Sequence, residues 1–239
     1  MECRETGRIQ AKKKLRNRIM IIGGIRKISL IDYPGEIASV VFTCGCNFRC
    51  IYCHNSHLVL PDDYMNNFAY EDIFSHLKKN TGKISAVVIS GGEPTLNADL
   101  PDFVRNVKRV NFLVKIDTNG TNPEMLEELI NEKLVDYIAM DIKSSEEKYP
   151  VITGKQFLYG KIKESISIIK SADVKKEFRT TVLKSIHTPD EIRAIKKLAG
   201  KVPLKFNCYR YTDSILDPSL GKGDELSEIE LHNLIAQSG

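Results

Sequence analysis

Three cysteines, Cys46, Cys50 and Cys53, stand at x3 and x2 spacing directly after the apolar run Ile37 to Phe42. Three thiolates held this close can ligate one metal centre. On a cuboidal four-iron cluster they would occupy three irons and leave the fourth open, whereas clusters that only carry electrons normally take four cysteines. An open iron is a place to bind a substrate. Two other chemistries use such residues. Cys50-Ile51-Tyr52-Cys53-His54 matches the c-type haem attachment pattern, but that attachment needs export and nothing here reads as a signal peptide. A structural zinc site could draw on Cys44, Cys46, Cys50, Cys53 and His54. Such sites usually pair two ligand couples a dozen or more residues apart, and the other cysteines, Cys3 and Cys208, form no second couple.

The cysteine spacing, with the aromatic Tyr52 before the last cysteine, resembles the signature of the radical S-adenosylmethionine (SAM) superfamily. More narrowly, Asp32-Tyr33-Pro34-Gly35 upstream and Cys53-His54-Asn55 within it resemble the activating enzymes of glycyl-radical proteins, especially the activators of anaerobic ribonucleotide reductase. The resemblance runs from about Gly24 to Asp217. It implies one [4Fe-4S] cluster on Cys46, Cys50 and Cys53, with SAM on the open iron. It also implies the reaction: reductive cleavage of SAM to methionine and a 5′-deoxyadenosyl radical, which abstracts hydrogen from a glycine of a partner protein. The implied partners are a glycyl-radical enzyme, anaerobic ribonucleoside-triphosphate reductase above all, and an electron donor such as flavodoxin or ferredoxin. A carboxydeazaguanine-type synthase, acting on a small molecule, shares the cysteine and Gly-Gly-Glu-Pro motifs; Asp32-Tyr33-Pro34-Gly35 and Asp117-Thr118-Asn119-Gly120 favour the activase. A zinc-stabilised nucleic-acid-binding module would explain the cysteines and leave the other motifs without a purpose.

Gly91-Gly92-Glu93-Pro94 permits a tight turn and close approach of a ligand to the main chain, or is an ordinary loop. By resemblance, Gly92 and Glu93 orient the amino group of SAM, and Thr95 continues the pattern. Asp117 and Asp141 read alone as turn or cap residues. The resemblance brings Asp117, Thr118 and Asp141 around the ribose and methionine ends of SAM, in some cases with a monovalent cation, and sets Lys143 near the carboxylate. Tyr52 would border the adenine, beside Cys53 and His54. Arg179 either points into the site or pairs with Glu177 or a nearby acid. On the last strand, where related activases often place a glutamine or histidine, this chain has Asn207 beside Cys208, and Cys208 reads as a small buried hydrophobe. His57, His76 and His187 lie outside any ligand spacing. The cysteines support one cluster.

These residues must be carried by something. Short β-branched runs alternate with helically spaced stretches, the pattern of successive βα units and a parallel sheet. Six strands are expected, at Ile37–Thr43, Ser85–Ser90, Phe112–Asp117, Asp136–Ile142, Glu177–Leu183 and Leu204–Tyr209. Six helices are expected, at Tyr70–Lys79, Asp99–Lys108, Pro123–Glu132, Tyr159–Ser171, Pro189–Leu198 and Glu225–Ala236, with Asn122 and Thr188 as N-caps. The fold class is α/β, a partial (β/α)6 barrel of parallel strands of the radical SAM type. The cysteines, Gly91 to Pro94, Asp117 to Gly120, and Asp141 to Lys143 all follow strands, so they share the carboxyl rim that carries sites in such folds. The segment Ile28 to Gly35 is expected to lie beside this opening and shape one wall.

At 239 residues, with 42% apolar content, the chain suits one domain with a sizeable core. Cysteines clustered rather than paired argue for a reducing, cytoplasmic setting, and no apolar run approaches the roughly 20 residues that span a bilayer. Residues 1 to 27 hold nine Lys/Arg against Glu2 and Glu5, a net +7 that leaves the remainder at −3. A basic arm can bind nucleic acid, but this one lacks interleaved aromatics and reads as a disordered, solvated tail. Residues 1–22 are therefore assigned to the arm and 23–239 to the radical SAM domain, with Met20 a candidate start.

Overall fold

A computed structural model describes residues 20–60, 68–155 and 158–239. The expectation for the basic arm falls mainly on residues 1–19, outside the described residues. Seven strands form one sheet in chain order: β1 (Ile22–Ser29), β2 (Ala38–Thr43), β3 (Ala86–Gly91), β4 (Leu113–Thr118), β5 (Tyr137–Asp141), β6 (Lys175–Val182) and β7 (Leu204–Cys208). Strands β2 to β7 run parallel, and β1 joins β2 antiparallel. The sheet does not close, because β1 and β7 remain its two edges. The six expected strands are all present within two residues of their expected bounds. Strand β1 is an addition: its Gly23-Gly24 and Arg26-Lys27 dilute the apolar alternation that marks a strand.

Eight α-helices are assigned among the described residues: α1 (Ser56–Val59), α2 (Tyr70–Lys79), α3 (Leu100–Arg109), α4 (Pro123–Asn131), α5 (Tyr149–Thr153), α6 (Tyr159–Ser171), α7 (Pro189–Ala199) and α8 (Glu228–Gln237). Asn122 and Thr188 cap α4 and α7 as expected, accepting from Met125 N–H and Glu191 N–H. Helix α3 shows how the outer layer is made. Leu100, Phe103, Val104 and Val107 recur at helical spacing and are all buried, in one core with Val87, Ile89, Val114 and Ile116 of the sheet.

The opposite face of the sheet is narrow and built from small residues. Ala38, Val40, Ala86, Val88 and Ala139 pack there around Tyr33 and Tyr137. Strand alternation then brings Lys115, Asp117, Asp141 and Arg179 to this same inner face. Tyr33 is wholly buried and meets the edge of Tyr137 at 5.6 Å between ring centroids.

That position corrects the expectation for Ile28 to Gly35. Ser29 pairs with Ala38 and Ile22 with Thr43, so the turn carrying Asp32-Tyr33-Pro34-Gly35 lies at the amino end of β2, the pole opposite the cysteines. The segment plugs the base of the partial barrel and shapes no wall of the mouth. The arm boundary also shifts, since Met20 and Ile22 are buried in the main core and the Met20 amide donates to both carboxylate oxygens of Asp99 at 2.9 Å.

Candidate functional site

The cysteine loop leaves β2 through Gly45, whose φ of 90° favours glycine. It is held from two sides. Arg49 N–H and Ile51 N–H donate to the carbonyls of Thr153 and Ile152 on α5, while Leu216 N–H and Asp217 N–H donate to the carbonyls of Cys53 and Ile51. Phe48 packs edge-on to Tyr149 at 6.1 Å, and the Arg49 guanidinium closes the loop on the Cys46 carbonyl at 2.7 Å.

Cys46, Cys50 and Cys53 are free thiols on the wall of one cavity of about 220 Å³. Tyr52 and His54 border it from the same loop. Gly91, Gly92 and Glu93 enter from the end of β3, Asp117 and Thr118 from β4, Asp141 and Lys143 from β5, and Arg179 from β6. All thirteen residues singled out in the sequence therefore meet in one place. Asn119, Phe48 and Thr181 also line the cavity; Thr181 was legible only through its alternation with Arg179.

The glycines serve packing more than ligand access. A side chain at Gly92 would meet the Gly45 carbonyl oxygen at 2.0 Å, and one at Gly91, whose φ is +110°, would meet the Thr43 backbone at 2.6 Å. This close approach lets Glu93 N–H donate to the Gly45 carbonyl at 2.7 Å, tying the β3 loop to the cysteine loop. The Glu93 side chain is fully buried. Its carboxylate accepts from Thr95 N–H, the Thr95 and Thr118 hydroxyls, and Asn119 N–H. Burial raises its pKa and these donors oppose the rise. Glu93 thus clamps two loops together, with its carboxylate turned to protein donors. Asn119 Nδ2 continues the tie, donating to Asn47 Oδ1 at 3.0 Å.

The cavity floor is an ionic chain. Asp117 Oδ1 accepts from Lys115 Nζ at 2.6 Å and from Arg179 Nη1 at 3.2 Å. Arg179 Nε reaches Asp141 Oδ1 at 2.9 Å, and Lys143 Nζ reaches Asp141 Oδ2 at 2.9 Å. Arg179 therefore joins the two site aspartates, while Glu177 pairs with Lys205 at 2.6 Å. Burial alone would raise the Asp141 pKa, but Arg179 and Lys143 hold it well below the usual range. Lys143 Nζ lies 5.7 Å from the centroid of Tyr52, a cation–π contact.

His54 turns partly away, with Nε2 on the Arg210 carbonyl at 2.7 Å and its ring stacked on Tyr209. His187 is buried and satisfied, and His76 bonds Ser39, as structural histidines do. Asn207 is exposed on edge strand β7, and Cys208 is half-buried. A larger groove of about 810 Å³, lined by Lys163, Lys170 and Lys197 of α6 and α7, contains none of the expected site residues.

The donor set fits an iron–sulfur cluster. Burial pushes the Cys46 thiol up to about 11 and Cys50 up to about 12, Glu93 adding to the first and Lys143 opposing both, so a metal must displace their protons on binding. Three such thiols on one cavity wall, with no fourth cysteine in its lining among the described residues, are the number that leaves one iron of a cuboidal cluster open.

Residues 40–199 match the family model for the radical SAM superfamily. A Methanocaldococcus jannaschii protein, provisionally named a glycyl-radical enzyme activating enzyme, is 39% identical over 183 residues, which are 74% of each chain. The pyruvate formate-lyase-activating enzyme of Clostridium pasteurianum is 31% identical over 196 residues, 76% of each chain. In fold, a radical SAM methyltransferase from Sphaerobacter thermophilus aligns with a TM-score of 0.65 at 13% identity, covering 86% of this chain and 64% of that one. The family match and the relatives agree with the rim of cysteines, glycines and paired charges: this chain belongs to the radical SAM superfamily, among proteins named as glycyl-radical enzyme activating enzymes.

Proposed function

We propose that this protein activates a glycyl-radical enzyme by removing a hydrogen atom from one of its backbone glycines. The observation that carries the reading is the convergence of three free cysteines and a paired Asp117–Arg179–Asp141–Lys143 chain on one cavity at the rim of an unclosed sheet. Cys46, Cys50 and Cys53 would hold a [4Fe-4S] cluster, and the remaining lining would hold SAM. When bound and reduced, the cluster supplies the electron that cleaves SAM to methionine and a 5′-deoxyadenosyl radical.

The protein's own work is orientation. Lys143 and Arg179 direct positive charge at the methionine carboxylate, a charge-assisted contact for which they are already positioned by Asp141. Asp117 and Thr118 face the ribose, Tyr52 and His54 border the adenine, and the Gly91–Glu93 backbone receives the amino group. Clamping of these loops by Glu93 fixes the geometry before the ligand arrives. The open edge between β1 and β7 leaves room for a polypeptide loop, which a closed eight-stranded barrel would lack.

The proposed partner is anaerobic ribonucleoside-triphosphate reductase, with flavodoxin or ferredoxin as electron donor, in the cytoplasm, where thiols and clusters stay reduced. Relatives named for activating glycyl-radical enzymes support this class of partner. No helix of the described residues is long and apolar enough to cross a membrane. Anaerobic reconstitution followed by iron analysis and a SAM-cleavage assay tests the reading. About four irons per chain, lost together in a Cys46, Cys50 and Cys53 to Ala variant, are expected. One tightly bound zinc and no uptake of iron would contradict it, and SAM cleavage only with a small-molecule substrate would favour a synthase.

A further inference from the structure

Lys115 is 2% exposed and stands on the inner face of β4, two residues before Asp117. A buried ammonium is costly unless it is paired. Here Nζ meets Asp117 Oδ1 at 2.6 Å and lies 5.7 Å from the centroid of Tyr137, whose ring rests on the Tyr33 plug. Lys115 does not line the cavity, whereas Asp117, Arg179, Asp141 and Lys143 do. It therefore sits beneath the floor and acts through Asp117.

The ionic chain from Lys115 to Lys143 holds three cations and two carboxylates. The adjacent Glu177–Lys205 pair balances itself, and Glu93 is bound by neutral donors alone. One positive charge in the chain is left without a carboxylate, and the two cations that border the cavity are Arg179 and Lys143. Without Lys115, Asp117 would have Arg179 as its only cation, and the chain would be neutral.

We propose that Lys115 is the built-in counter-cation of the cavity floor: it neutralises Asp117 from inside the sheet, in place of a bound monovalent cation, and so leaves Arg179 and Lys143 available to the ligand's carboxylate. Lys115 is a positioning residue, and the proposal rests on SAM being the ligand.

The test is equilibrium binding to the anaerobic, cluster-loaded protein, using SAM and decarboxylated SAM, which differ only by the carboxylate. Each is measured in tetramethylammonium buffer with and without potassium or sodium. Native protein should bind SAM equally well in all of them. Lys115→Met should weaken SAM at least tenfold and leave decarboxylated SAM unchanged or tighter. Lys115→Ala, which opens space beside Asp117, should show the same loss and regain affinity when potassium, sodium or methylammonium is added. Equal losses for the two ligands would mean a structural role and overturn the proposal. A native protein that needs potassium or sodium to bind SAM would overturn it as well, whatever the variants do. Native protein with an intact cluster and no affinity for SAM would remove the cofactor reading itself, a result distinct from either.

Discussion

His187 Nε2 meets the carbonyl oxygen of Lys143 at 2.9 Å, while Leu183 N–H donates to His187 Nδ1 at 3.0 Å. An amide can only donate and a carbonyl can only accept, so the ring is neutral with its proton on Nε2. The loop bearing Lys143 is fixed by this bond and by Glu191, which accepts from the Ser144 and Ser145 hydroxyls and Ser145 N–H.

Burial lowers the His187 pKa below its ordinary 6.5, with the Lys143 carbonyl and Glu191 pulling the other way. The unfolded chain therefore takes up this proton at higher pH than the folded one. Stability from His187 is complete above about pH 6.5 and is lost as pH falls below it. His187→Leu leaves two buried backbone groups unpaired and should cost about 2–4 kcal/mol at pH 7.5. The gap between native and variant melting temperatures should narrow at pH 5.5; parallel losses would refute the assignment.

Gly92→Ala drives a methyl group into the Gly45 backbone and should break the Glu93–Gly45 bond. A loss of about 2–4 kcal/mol is expected, together with poor cluster uptake. Gly160→Ala is the control. It lies in α6 with nothing within 4 Å of the added carbon, so it should be neutral or stabilising by up to about 1 kcal/mol. Denaturant unfolding of both variants checks the pair.

Lys143→Met keeps most of the side-chain volume and leaves Asp141 paired with Arg179. SAM affinity should fall roughly 10- to 100-fold, the loss of one charge-assisted contact of about 1.5–3 kcal/mol. The cluster absorption spectrum should be little altered. Unchanged SAM affinity would remove Lys143 from the proposed contacts.

Met20 and Ile22 are both buried, and Asp99 receives the Met20 amide. A chain beginning at Met20 should match the full chain in melting temperature, iron content and SAM cleavage. One beginning at Gly23 should lose about 3–6 kcal/mol, at about 1.5–3 for each buried side chain. Equal stability of the two shortened chains would show that these contacts contribute nothing.

The site was legible because its residues follow strands, and residues that follow parallel strands share one rim whatever the helices do. The same rule, applied to what precedes a strand, puts Tyr33 at the base, whereas the family resemblance alone sets it beside the mouth. Strand β1 is hidden by two glycines and two exposed basic residues, whose extended conformation depends on pairing with β2 rather than on local alternation. Lys115 reads in sequence as one lysine among many. Its importance lies in parity: with Asp117 and Arg179 facing inward, Lys115 must face inward too, and a lysine there needs a partner. The resemblance turns Glu93 toward the ligand; two of the four donors around it come from Thr95 in its own segment and two from Thr118 and Asn119 at the end of β4, a meeting of two loops that the sequence does not reveal.

The central claim is radical transfer to a protein glycine, and electron paramagnetic resonance reads it directly. Reduced, cluster-loaded protein is mixed anaerobically with SAM and an anaerobic ribonucleotide reductase from the same source. The account predicts a doublet from coupling to a single glycine α-hydrogen, which appears only when all components are present and is absent with the cysteine-to-alanine variant. It is contradicted if SAM is cleaved only when a small-molecule substrate is supplied and no candidate reductase or lyase gains the signal.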